Sequence, residues 1–270
     1  MRATSKASLT TATERFEPVL AAAGEQAGQV GEEIFAVVDA LDSSASLRRA
    51  LTDPTRSADA KAELAERLLG GSVRPDVVAL VAGMARERWS ADTDLPDALE
   101  DLGTTAQLVA AEHGPGLMTV EDELFRFGRV LADQRELRVA LAARRLPAEN
   151  RVGLAERVLE GASPETIALV RRTVSALRQR SVTGRLARIG ELAAERRKRV
   201  VASVLSAAPL TQAQLDRLTG ILSRAYGTEV HVNAGVDPSF LGGLRIQVGA
   251  EVVDATILSK LEEARRRIAG

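Results

Sequence analysis

"VGEEIFAVVDALDSSASLRRAL" (residues 30–51) returns ninety residues later, without a gap, as "VEDELFRFGRVLADQRELRVAL" (residues 120–141). The same register lays "KAELAERLLGG" (61–71) over "RVGLAERVLEG" (151–161). After a one-residue slip, "PDVVALV" (75–81) lies over "PETIALV" (164–170). Phe35 aligns with Phe125, Leu47 with Leu137, and Glu66 and Arg67 with Glu156 and Arg157. One offset shared by three segments marks an internal duplication.

Within each copy the apolar residues recur at helical spacing. Ile34, Val37, Val38 and Leu41 form one stripe, and Val77, Leu80, Val81 and Met84 another. Their counterparts are Leu124, Phe127 and Leu131, then Ile167, Val170, Val174 and Leu177. Pro54 and Pro147 fall in the short connections, where proline breaks a helix. Each copy therefore reads as a bundle of short antiparallel helices. A longer helix should follow each one, acidic in "TDLPDALEDLGTTAQLVAAEHG" and basic in "GRLARIGELAAERRKRV".

Near residue 200 the pattern changes. "RVVASVLSA", "EVHVNAGV", "LRIQV" and "EVV" read as strands. "PLTQAQLDRLTGILSRAYG" reads as a helix with a Thr211/Gln214 capping box, a Leu215, Leu218 and Leu222 stripe, and Gly227 at its end. A last helix, "ILSKLEEARRRIAG", closes the chain, with Asp254 or Thr256 as its cap. The expected fold is mainly α. It has one helical bundle over 1–90, a second with long connecting helices over 91–199, and a small α+β module with a mainly antiparallel sheet over 200–270.

Composition narrows the chemistry. With 3% aromatic residues, the cores must be built from Ala, Leu, Val and Ile, which suits closely packed helices. There is no cysteine, hence no disulfide or thiolate site, and His113 and His231 lie too far apart in sequence for a histidine-based metal site. His113 reads as loop, ahead of "GPG", and His231 as a strand residue. Trp89 and Tyr226 read as single aromatics at bundle edges. The N-terminus lacks the apolar core of a signal peptide, and no run of about 18 apolar residues occurs. The expectation is a soluble cytoplasmic protein without cofactor or metal.

The net charge of −1 conceals a strong asymmetry. Residues 91–123 hold nine acids, Asp92 to Glu123, with no Lys or Arg, whereas residues 171–199 hold ten bases against Glu191 and Glu195. At least one of these stretches should face an opposite charge, in the other copy or on a partner.

"VDPSFLGGLRIQVGAEVVDATI" (residues 236–257) carries the paired glycines that could cradle a phosphate. However, Gly243 runs directly into a strand, and neither a helix nor Lys-Ser/Thr follows, so the phosphate-loop and dinucleotide patterns both fail. Gly242 or Gly243 is instead expected at a bend with φ > 0, after a turn set by Asp237 and Pro238. The cluster Arg196, Arg197, Lys198 and Arg199 could meet nucleic-acid phosphates. Near-neutral overall charge and the lack of adjacent aromatics favour a solvated or partner-facing helix end. Salt-sensitive nucleic-acid binding by the 185–199 helix would mark that alternative.

The tail carries a resemblance. "VVASVLSAAPLTQAQLDRLTGILSRAYG" followed by "VDPSFLGGLRIQVGAEVVDATILSKLEEARRRI" resembles the delta subunit family of bacterial F-type ATP synthases, relatives of mitochondrial OSCP. The likeness covers about residues 120–270, and the whole chain resembles the extended actinobacterial layout with an added helical copy. Asp254-Ala255-Thr256 replaces the family's Asp-Gly-Ser-like step. The resemblance implies a six-helix N-terminal domain, no catalysis, and a place in the peripheral stalk on the cytoplasmic face of the membrane. It further implies that helical domains hold N-terminal helices of the alpha subunits and that the C-terminal module holds the b subunits. On that reading the stripes Val77, Leu80, Val81, Met84, Ile167, Val170 and Val174 are candidate partner-groove residues, by the helix-in-groove mode. Asp237, Pro238, Gly242, Gly243 and Asp254 are then structural turn positions.

Overall fold

The computed structural model describes residues 1–254 apart from 115, 179–180, 198–199, 227–229, 238–242 and 249–250. The fold is mainly α with a small C-terminal sheet. Helix α1 (Ala3–Ala23) passes through a short 3-10 turn into α2 (Ala27–Ser43), followed by α3 (Ala45–Thr52), α4 (Ala58–Leu69) and α5 (Pro75–Arg86). The long α6 (Asp94–His113) leads to α7 (Leu117–Asp133), α8 (Arg135–Ala142), α9 (Ala148–Val158) and α10 (Pro164–Ser175), and then to α11 (Val182–Arg197).

The duplication is visible in these bounds, since α2 and α3 reappear ninety residues on as α7 and α8. The same displacement carries α1 onto α6 and α6 onto α11. Helix α6 is therefore both the last helix of the first copy and the first of the second. Counted this way, each copy has six helices among the described residues, and the two share one.

The copies share some helix-start chemistry and differ in the rest. Ser44, Ser57 and Ser163 accept backbone N–H groups three residues on at the starts of α3, α4 and α10, whereas their counterparts α8, α9 and α5 begin without a side-chain cap. Pro75 and Pro164 occupy first-turn positions that need no N–H. Pro54 lies in the α3–α4 turn, and Pro147 immediately precedes α9. The first core gathers Phe16, Leu20, Ile34, Leu41, Val77, Met84 and Leu99, and the second Leu124, Phe127, Leu131, Leu169, Val170 and Ile189. Helix α6 gives Leu95 to Ala110 mostly to the first core, and Leu108 and Ala111 to the second. His113, expected in a loop, is the last residue of α6, because the helix runs on to a Gly114 cap. Trp89 packs half-buried at the edge of the first core and donates its indole N–H to the Met84 carbonyl at 2.9 Å.

Residues Met1–Ala193 make one compact unit, containing both helical copies, and Ala194–Gly270 make a second. In the latter, β1 (Val200–Ser206), α12 (Gln212–Tyr226), β2 (Val230–Val236), β3 (Leu244–Val248) and β4 (Glu251–Asp254) form a sheet of order β2-β1-β3-β4. The β1–β3 and β3–β4 ladders are antiparallel, as expected, but β1 and β2 run parallel, Val200 opposite Val230. A 15-residue helix joins those two strands, and a helical crossover returns the chain in the same direction. The capping box forms, with Thr211 N–H on Gln214 Oε1 at 2.8 Å and Gln214 N–H on Thr211 Oγ1 at 3.4 Å. Ala202, Leu222 and Val230 centre the small core.

Candidate functional site

An apolar groove of about 230 Å³ runs between α1 and α5. Ala12, Phe16 and Val19 form one wall, and Ala79, Leu80, Gly83 and Met84 the other. Phe16, Leu80 and Met84 are held by the first core while presenting part of their surface to the groove. Gly83 opens it further, since a Cβ built there would meet no atom within 4 Å. At the rim, Arg15 pairs with Glu87 at 3.2 Å, and Asp76 with Arg74 at 3.2 Å. These charges satisfy each other, so the groove asks an occupant for apolar contact rather than a counter-ion. Its volume lies below the ~300–1,000 Å³ of small-molecule pockets, and its two-helix walls suit an amphipathic helix.

Polar contacts set the spacing of the walls. Ser5 Oγ donates to Asp94 Oδ2 at 2.7 Å and accepts the Ser90 N–H at 2.9 Å, while Ser8 Oγ donates to the Arg88 carbonyl at 2.8 Å. The start of α1 is thereby tied to the chain between α5 and α6. Lys61 Nζ donates to the Glu87 carbonyl at 3.1 Å, and burial holds its pKa below the ordinary lysine value.

The second copy treats the corresponding place differently. Arg172 of α10 stands where α5 has Gly83, in aligned "PETIALVRR" and "PDVVALVAG". Its guanidinium bonds Glu100 at 2.7 Å and Asp39 at 2.8 Å, and lies 4.7 Å from the Phe35 ring centroid. Glu100 also meets Arg185 at 2.6 Å, and Asp101 meets Arg188 at 2.9 Å. Burial alone would raise the Glu100 pKa. The Arg172 hydrogen bonds and the Arg185, Arg172 and Arg178 charges outweigh it and hold the carboxyl below its ordinary value. Arg178 further joins Asp42 and Asp97. The acidic and basic stretches of the sequence thus face each other within the helical unit.

Helix α2 lies close over α6 at this site. A Cβ on Gly31 would stand 2.8 Å from the Gly103 carbonyl and 3.3 Å from Ala106, and one on Gly103 would stand 2.5 Å from the Phe35 ring. Gln107 donates to the Gly28 carbonyl at 2.9 Å across the same contact. Glycine permits this approach where any side chain would separate the helices.

Comparison with known proteins places these features in a family. A family model described as ATP synthase delta (OSCP) subunit matches residues 104–268. Proteins named ATP synthase subunit delta match along the whole chain. The one from Beutenbergia cavernae is 63% identical over 271 residues, covering 100% of both chains. That from Kineococcus radiotolerans is 48% identical, covering 98% of this chain and 96% of its own. That from Streptomyces griseus is 44% identical, covering 100% of both. The chain belongs to the ATP synthase delta (OSCP) subunit family.

The delta-family match begins within α6 and spans the second copy and the sheet, whereas the full-length relatives also cover the first copy and its groove. Of the stripe residues singled out in sequence, Leu80 and Met84 line the groove, and Val77 and Val81 lie beneath it in the core. Val170 and Val174 are buried in the second core, with Ile167 partly buried against it. Sequence reasoning missed the α1 wall, which lies ahead of the aligned repeats; its Ala12, Phe16 and Val19 spacing was the available signal.

In the sheet unit of this delta-family chain, Gly243 has φ 89° immediately before β3, a backbone region that favours glycine. Asp237 donates its backbone N–H to the Ser206 carbonyl at 2.9 Å, fixing the exit from β2. Asp254 ends β4. Pro238, Gly242, Thr256 and the closing helix lie outside the described residues. Among the described residues no helix is long and apolar enough to cross a membrane.

Proposed function

We propose that this chain works without catalysis of its own, as a clamp between the ATP synthase's catalytic head and its stalk. It is a peripheral-stalk subunit of an F-type ATP synthase. Its helical unit holds an N-terminal helix of the head's alpha subunits, and its C-terminal unit holds the b subunits. It is thereby carried on the cytoplasmic face of the membrane as part of the complex. A stator must resist torque, which calls for preformed rigid contact surfaces rather than reactive groups. The observation that carries this reading is the α1/α5 groove in a chain of the delta family. Arg185 and Arg188, two bases of the helix considered for nucleic acid, are already paired with Glu100 and Asp101 inside the helical unit, which favours the stalk reading.

Truncation tests the two-ended arrangement. A chain ending at Arg197 keeps the whole helical unit and both of its cores. It should remain helical and bind alpha-subunit N-terminal peptide, yet fail to link head to stalk. In membranes carrying it, ATP hydrolysis should persist while proton pumping is lost. Normal coupling at comparable expression would refute the assignment.

A further inference from the structure

The duplication permits the same groove to be compared twice within one chain. Groove-lining Phe16 corresponds to Ala106, and Gly83 to Arg172. In the first copy these positions border open space. In the second, Ala106 lies under Gly31 of α2, and the Arg172 side chain fills the glycine's place beneath Phe35 and Asp39 of the same helix. Exposure follows the difference, since Gly83 is half-buried while Arg172 is 8% exposed. The residue covering the site comes from an amphipathic helix that buries Val30, Ile34, Phe35, Val38 and Leu41. The second copy has thus turned its groove inward, to bind the first copy.

We propose that the helical unit accepts one partner helix, in the α1/α5 groove of the first copy, because the second copy's equivalent is closed from within by Arg172 and α2. The inference rests on the head-binding reading above and assigns its stoichiometry and position. The occupant's chemistry follows from the rim and from the internal precedent. It is an amphipathic helix with an apolar seam at i, i+3/i+4 and i+7 spacing, and it needs no charge to pair Asp76 or Glu87, which Arg74 and Arg15 already pair. The added copy therefore restores an open docking face to a chain whose family-matched portion has its own face occupied.

The test uses the full chain and a fluorescent synthetic peptide of the alpha-subunit N-terminal segment from the same organism. Calorimetry should return one peptide per chain. Gly83→Arg, which points a side chain into open space, should weaken binding by about tenfold or more, the scale of losing a well-packed contact. Ala79→Arg on the exposed wall supplies a second obstruction should Gly83→Arg disturb α5, with circular dichroism reporting the fold of each. Ala168→Arg, the second-copy counterpart of Ala79→Arg, should leave affinity unchanged. Two peptides per chain, or full affinity in both obstructed variants, would overturn the proposal. Failure of the unmodified chain to bind any peptide would instead refute the head-binding reading, and this inference with it.

Discussion

Arg172→Ala should destabilise the helical unit more than any exposed charge deletion. The side chain is 9% exposed and faces Glu100, itself 3% exposed, at 2.7 Å. Removing one member of a buried ion pair costs about 3–5 kcal/mol, because the remaining charge stays buried. Arg185 still lies 2.6 Å from Glu100, so the expected loss falls near ~3 kcal/mol, the lower end of that range. For a unit of this size each kcal/mol lowers Tm by about 2–4 °C, giving a drop of roughly 6–12 °C. Urea unfolding followed by far-ultraviolet circular dichroism at pH 7 measures the loss directly. A double-mutant cycle with Glu100→Gln should return a coupling of about 1–3 kcal/mol, as for groups sharing one network. A loss under ~1 kcal/mol would show that this network does not join the copies, since that is the range of an exposed pair.

The same carboxylate predicts a pH dependence. Glu100's folded pKa lies below its ordinary 4.5, so its stabilisation is fully present above that value and is lost as pH falls through the lowered one. Stability should hold between pH 7 and about 5 and decline below 4.5, with Glu100→Gln flattening the decline. Two glycine substitutions should differ in sign. Gly103→Ala drives a methyl into the Phe35 ring, 2.5 Å away, and should cost about 1–3 kcal/mol, whereas Gly83→Ala meets nothing and should gain up to about 1 kcal/mol of helix propensity. Chemical denaturation of both variants checks this. Gly243→Ala, at φ 89°, should cost about 1 kcal/mol or more in the sheet unit without altering the helical unit's unfolding.

The duplication, the helices of the aligned repeats and the strands were legible because they depend on local periodicity. Ile34, Val37 and Leu41 mark a buried face wherever the helix lies, and alternation in "LRIQV" marks a strand whichever neighbour it finds. The turn at Gly243 was legible for a similar reason, since a positive φ is a local demand. Neighbours are another matter. "EVHVNAGV" did not reveal that it pairs parallel with β1, because direction depends on the crossover helix between them.

Phe35 and Phe125 show the limit most clearly. They are the same residue at the same place in the repeat, yet one is 3% and the other 66% exposed. The difference arises because Gly31 and Gly103 let α2 approach α6, while α7 carries Glu121 at the position equivalent to Gly31. Likewise, the sequence displayed an acidic stretch and a basic one and implied that they meet an opposite charge, but only the packing of α10 and α11 against α6 decided that they meet each other. By itself the sequence determined what each segment is, since backbone propensity and apolar period act over a few residues. The tertiary structure alone decided which of two equivalent grooves stays open, because closure depends on side chains brought together from helices more than a hundred residues apart, as Asp39 and Arg172 are.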